Sequence, residues 1–290
     1  MKPDRYKLLA AIAAMVALLS RSEGALVNLY TFNDGTANDS VGGAHANVVN
    51  SGSFTTVGTS GLLDFTANDG AGGNVGGAYL DLPNGLITTA VNSTAGGGTA
   101  GAFSFSVWFT ASEHRGWAPV ASFGSTNDNT EDGVGGSNAT YIQLIPYAGT
   151  GANPLRLTTR ATGSGSEAFI DASSATLNDL YNVIGVFDQS GGSPGTFSLY
   201  VNGTLVSTSD IIANFNLSTF VDNNNWLGRS QWPDSAFDGT YDEFAVYNHA
   251  IDATEAAAIH SAGPLQIPEP ASTTLVGLAL AAAGIRRRRS

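Results

Sequence analysis

Phe197-Ser198-Leu199-Tyr200-Val201-Asn202-Gly203-Thr204-Leu205-Val206 decides the fold. Two β-type runs flank an Asn-Gly pair. Both central residues of a tight type I′ turn need positive φ, which Asn and Gly adopt most cheaply. Working outward, alternating apolar and polar residues recur in short segments. They are Leu26 to Phe32, Ala78 to Leu82, Phe103 to Phe109, Tyr141 to Ile145, Leu155 to Thr158, Val183 to Phe187 and Asp242 to Tyr247. A period of two places alternate side chains on opposite faces, so each segment is a half-buried strand. So many half-buried antiparallel strands predict two sheets packed face to face. The expected class is all-β, a two-sheet antiparallel sandwich. One short helix is expected near its end, at Asp252 to His260, with Asp252 as cap and Glu255 three residues on. No repeat with a period of about 20–50 residues is present, which argues against a solenoid or propeller.

Composition narrows the chemistry. The chain has 290 residues, no Cys, 36 Gly and only 12% charged residues, against about 25% charged in an ordinary domain. The absence of Cys excludes disulfides, thiolate zinc sites and a cysteine nucleophile. Net charge is −12, and eight of the 12 basic residues sit in the two terminal segments. Residues 23–270 keep only Arg115, Arg156, Arg160 and Arg229 against 23 acids, a net charge of −19 with no Lys. Such a body repels phosphate backbones, so no nucleic-acid partner is expected.

The termini read as addresses. Lys2, Arg5 and Lys7 precede an apolar run from Leu8 to Leu19, too short for a membrane-spanning helix and suited to a secretory signal. Small residues at Ser20 and Ser22 predict cleavage after Ser22, so residues 1–22 are read as signal peptide. At the other end, Pro268-Glu269-Pro270 is followed by an apolar stretch over residues 271–285 and then Arg286, Arg287, Arg288 and Arg289. A basic cluster after an apolar segment stays on the cytoplasmic side. This order over residues 267–290 resembles the PEP-CTERM sorting signal. The resemblance implies a transmembrane helix held in the inner membrane, processing by an exosortase-type enzyme near the Pro-Glu-Pro, and delivery to the cell surface or beyond.

The body, residues 25–264, carries a second resemblance. Leu26 to Gly35, Ala37-Asn38-Asp39-Ser40 and Gly42-Gly43 look like the opening of LamG-like (concanavalin A-like) jelly-roll domains. Leu180 to Asp188 with Leu199 to Gly203 resembles their central hairpin, and Phe237 to Ile251 their end. Tyr181-Asn182 stands where that family usually has Trp-His, a packing variation within a strand. The resemblance implies calcium at the sandwich edge, with Asp34, Asp39 and Asp242 as ligands. Calcium takes six to eight oxygen ligands, which acids and amides in such loops supply; the alternative for Asp34 and Asp39 is turn capping. A second acidic cluster is Asn127-Asp128-Asn129 with Glu131 and Asp132, in a Gly-rich loop.

Catalytic motifs are missing from this sequence. Hydrolases that resemble this fold place Glu-x-Asp-x-x-Glu on one strand face, and no Glu here has that spacing. The four His, at 45, 114, 249 and 260, form no metal-ligand pair. Glu113-His114-Arg115 reads as a solvated turn. Glycan contact needs an exposed ring with polar neighbours. Trp226, Arg229, Trp232 and Asp234 fall within nine residues, and Trp117 is a second location. Trp226 is either a platform or core; Trp232, beside Pro233, is the more exposed choice. These features together predict an exported, non-catalytic binding or adhesion protein that recognises glycan or extracellular polysaccharide. A structural matrix protein and a divergent glycan-cleaving enzyme are the alternatives.

Overall fold

The computed structural model describes residues 24–50, 52–57, 60–68, 76–126, 138–149, 153–162 and 167–264. The segment read as a signal peptide, the sorting segment, and the acidic cluster of Asp128, Glu131 and Asp132 lie outside them. Among the described residues, fifteen strands build two antiparallel sheets.

The first sheet holds β1 (Leu26–Tyr30), β3 (Ser53–Val57), β4 (Ser60–Asp64), β6 (Ala102–Ala111), β11 (Leu180–Asp188), β12 (Thr196–Val201), β13 (Thr204–Asp210) and β15 (Gly239–Tyr247). Its order is β13-β12-β11-β6-β15-β4-β3, with β1 also paired to β15. The second sheet runs β10-β9-β8-β7-β14-β5-β2. Its strands are β2 (Asn47–Val49), β5 (Tyr79–Leu82), β7 (Ala121–Ser125), β8 (Thr140–Ile145), β9 (Leu155–Arg160), β10 (Ala168–Ala172) and β14 (Asn224–Leu227). Asn202 and Gly203 turn the β12–β13 hairpin with φ of 49° and 74°.

The sheets meet through the inward half of each alternation. Phe105 of β6 packs edge-on against Phe123 of β7 with ring centroids 5.3 Å apart, joining the two layers. Phe103, Phe187 and Phe197 stack across β6, β11 and β12. At the position of the family departure, Asn182 is buried and donates to Ser106 Oγ, while Tyr181 stacks on Phe109. The neighbouring strand accommodates both residues.

Among the described residues there are two α-helices where the periodicity suggests one. α1 (Leu86–Asn92) has two Thr and a Val among its seven residues and no side-chain cap of its own. β-branched residues make such a segment a weak helix former. Asp222, more than 130 residues away, caps it instead: its carboxylate accepts from Ile87 N–H, Thr88 N–H and Thr88 Oγ. Local pattern reading has no access to that contact. α2 (Ala253–Ala262) begins as expected, with Asp252 accepting from the N–H groups of Thr254 and Glu255. The Glu255 carboxylate also bonds His249.

α2 covers the outer face of the first sheet, sealing a small cluster of Ile184, Val186, Tyr200, Ile251 and Ala256. No helix among the described residues is long and apolar enough to cross a membrane.

Candidate functional site

The outer face of the second sheet is different in kind. Ile142 and Leu144 of β8, Leu155 and Leu157 of β9, and Ile170 of β10 point into the core. Their alternates, Tyr141, Gln143, Arg156, Thr158, Arg160, Phe169 and Asp171, therefore stand on the other side. The chain from Gly228 to Asp238 folds across part of this face. Trp226 and Arg229, expected as ligand contacts, are packed beneath that segment and do not form an open platform. Trp226 is fully buried and its indole N–H donates to Asp81 at 3.1 Å. Arg229 lies 4.1 Å from the Trp226 ring centroid and donates to Tyr79 Oη at 2.8 Å. Gln231, Asn224, Ser122, Gln143 and Ser230 continue an interlocked polar layer there. A guanidinium is weakly hydrated and stacks well on rings, which suits it to this interior.

Trp232 and Trp117 remain accessible, and the structure brings both to the same face. Trp232 is half-buried; its indole N–H donates to Tyr141 Oη at 2.9 Å. Tyr141 in turn donates to Glu167, which also accepts from Thr158 Oγ. The Arg160 guanidinium lies 5.4 Å from the Trp232 ring centroid. Burial pushes the Tyr141 phenol well above its ordinary value, and the adjacent Glu167 charge adds to the shift. Asp234 donates nothing but accepts from Ser230. Burial raises its pKa, the Ser230 bond opposes, and the Glu167 charge raises it further. Two carboxylates thus share this end of the face.

Trp117 sits at the other end, 38% exposed, with φ of 64°. The Arg156 guanidinium is 5.8 Å from its ring centroid and 3.7 Å from that of Phe169, itself 47% exposed. Asp171 holds Arg156 through paired bonds of 2.7 and 2.8 Å. That hydrogen bond, opposed by burial, raises the Arg156 pKa. A cleft of about 460 Å³ lies beyond Trp117, lined by His114, Tyr147, Asn153, Ser174 and Thr176 among others. Glu113-His114-Arg115 is not the solvated turn expected: Arg115 pairs with Glu113, but its side chain is only 9% exposed and also reaches buried Asp238, and His114 packs against Tyr147. Arg156, Phe169, Asp171, Glu167 and Tyr141 were not singled out by sequence. Their signal is the outward half of the alternation in β8, β9 and β10, legible only once the inward half is known.

The three acids expected to hold calcium do not come together. Asp39 is spent on its own loop: it accepts from Asn28 Nδ2 and from the N–H groups of Leu29, Val41, Gly42 and Ala44. Asp34 closes a turn on Thr36. Asp242 is the extra residue of a bulge in β15. Among the described residues, no three acidic or histidine side chains group to hold a metal. These three acids therefore make no shared calcium set: Asp39 and Asp34 are already taken up by the chain's own donors, and Asp242 lies apart from them.

Two packed antiparallel sheets with this strand order define a jelly-roll sandwich with one decorated outer face. The family described as the concanavalin A-like lectin/glucanases superfamily matches residues 74–257, and the chain belongs to it. A PEP-CTERM protein-sorting motif matches residues 266–289, which assigns the chain to exosortase sorting. No curated protein matches the chain in sequence. Among solved structures, domain 4 of AbnA, an extracellular arabinanase from Geobacillus stearothermophilus in complex with arabinotriose, is similar with a TM-score of 0.56. Its identity is 14%, over 81% of this chain and 98% of that one. Botulinum neurotoxin type C, whose cell entry depends on two ganglioside molecules, has a TM-score of 0.54 at 13% identity, over 84% of this chain and 52% of that one. The type G receptor-binding domain has a TM-score of 0.52 at 12% identity, over 82% and 51%. At these identities the likeness is one of fold.

Proposed function

We propose that this is an exported glycan-binding protein whose ligand lies on the outer face of the second sheet. The observation that carries the reading is the pairing of accessible rings with fixed guanidinium groups on one strand: Trp117 and Phe169 with Arg156, and Trp232 with Arg160. Rings offer apolar faces to the C–H surfaces of sugars. Guanidinium N–H groups and carboxylate oxygens satisfy hydroxyls, and a few placed polar groups on an aromatic surface are what ligand sites use. The neighbour in complex with arabinotriose is consistent with this use of the fold, and the sorting motif supports action at or beyond the cell surface.

The test is a polysaccharide panel with the full chain purified in detergent, in calcium and in chelator. Wild type is expected to retain at least one polysaccharide in both conditions, and Trp117→Ala with Phe169→Ala to lose it while keeping the melting temperature. Absence of retention in either condition sinks the binding reading and leaves a structural matrix role. A second reading, glycan cleavage, draws on the proximity of Glu167 and Asp234. Glycosidases use two carboxylates held in different protonation states. Release of reducing ends by wild type but not by Glu167→Gln would put that reading in place of the first.

A further inference from the structure

We propose that the face takes the interior of an extended, uncharged polysaccharide lying along β9, rather than a terminal or acidic sugar. This rests on the glycan-binding reading and specifies its ligand class. The two ring-and-guanidinium units sit on Arg156 and Arg160. These are four residues apart on one strand and so on the same face, about 13 Å apart at ~3.3 Å per residue. β9 pairs with β10 so that Asp171 faces Arg156 and Phe169 faces Thr158. Continuing that register, Glu167 stands opposite Arg160. The strip therefore reads Trp117 and Phe169 around Arg156 and Asp171 at one end, buried Thr158 between, and Arg160, Glu167 and Trp232 at the other. Accessible rings lie at both ends. A single sugar can touch one end; only a chain of several sugar rings touches both.

The charge pattern argues for a neutral chain. Each Arg of the strip is matched by an acid on β10 or just before it, so the strip itself is balanced. The surrounding body carries −19 and no Lys. Asp171 occupies two of the five N–H donors of Arg156, leaving three for neutral acceptors. The paired acid fixes the guanidinium plane under Phe169 and Trp117, so little is lost in ordering it on binding.

The experiment is calorimetry on the full chain with ladders of neutral oligosaccharides, from mono- to hexasaccharide, of cellulose, xylan, arabinan and β-1,3-glucan. Alginate oligosaccharides serve as the acidic comparison. For one neutral ladder, affinity is expected to rise with length and level off once both Trp are spanned. Phe169→Ala and Trp117→Ala should each weaken the hexasaccharide by about tenfold, about 1.4 kcal/mol. Trp117→Ala should leave the shortest ligand that binds at the Trp232 end unaffected. Trp232→Phe, which keeps a ring, is expected to bind nearly as wild type. A monosaccharide that binds as tightly as the hexasaccharide, or a preference for alginate, overturns the extended neutral chain while leaving glycan binding intact. Failure of every ladder and of the polysaccharide panel removes both.

Discussion

At the scale of single residues, the acids of this chain divide by what surrounds them. Asp39 is buried, which alone would raise its pKa. The bonds from Asn28 and from the N–H groups of Leu29, Val41 and Ala44 outweigh that and hold it below the usual carboxylate range. The carboxylate is the hub of the loop after β1, and its removal strands several buried donors. Asp39→Ala is expected to cost about 3 kcal/mol, read by denaturant unfolding. Its contribution is fully present above pH 4 and fades as pH falls through the lowered folded value. Asp242 is the reverse case. It accepts no hydrogen bond among the described residues, and burial lifts its pKa to about 6. Its charge therefore destabilises the fold above about pH 6, and protonation relieves this as pH falls toward 4. Asp242→Asn should melt higher than wild type at pH 7.5, with a gain of about 1 kcal/mol once the partial exposure of the carboxylate is allowed for. The advantage should vanish near pH 4; an equal difference at both pH values would refute the assignment. Neither role is visible in sequence, where both residues are simply acids beside turns.

At the scale of elements, strands were far more legible than their surroundings. The segments 103–109, 141–145 and 197–206 alternate cleanly because one side of each faces the core. β7 and β14 do not announce themselves: Ser122 and Gly124 leave the outward side of β7 nearly bare, and in β14 outward Trp226 next to inward Leu227 breaks the apolar-polar alternation. α1 was missed because its cap comes from Asp222. Asp222→Ala should therefore loosen α1 specifically. Faster amide exchange at Ile87 and Thr88, with the second sheet still protected, is the expected outcome, and a loss of about 1–3 kcal/mol accompanies it. The site divided in the same way. Trp117 and Trp232 were legible as accessible rings because each lies in a Gly- or Pro-containing loop. For Trp226 the sequence leaves platform and core open and the structure selects core; Arg229 is not legible as buried, because its partners Tyr79 and Trp226 are brought to it only in three dimensions.

At the scale of the whole molecule, one outer face is closed by α2 and the other is left decorated. The body is strongly anionic, yet the decorated strip is balanced. Binding of a neutral polysaccharide should therefore change less than about twofold between 50 and 500 mM salt, since no net charge is screened on association. A steep loss of affinity with salt would show that an acidic ligand was being held. Asp34→Ala should shift the melting temperature equally in calcium and in chelator, because Asp34 closes its own turn and shares no ion with Asp39 or Asp242.

The pairing of β1 with β15 reaches from one end of the body to the other: Ala25 N–H donates to Asn248, 223 positions away. In a chain that crosses the membrane from its N-terminus, β1 emerges first and its partner last. The first sheet cannot close until almost the whole body has been translocated, and long-range pairing of this kind is slow. A chain threaded in this order keeps its first sheet unpaired until the segment beside the sorting motif arrives.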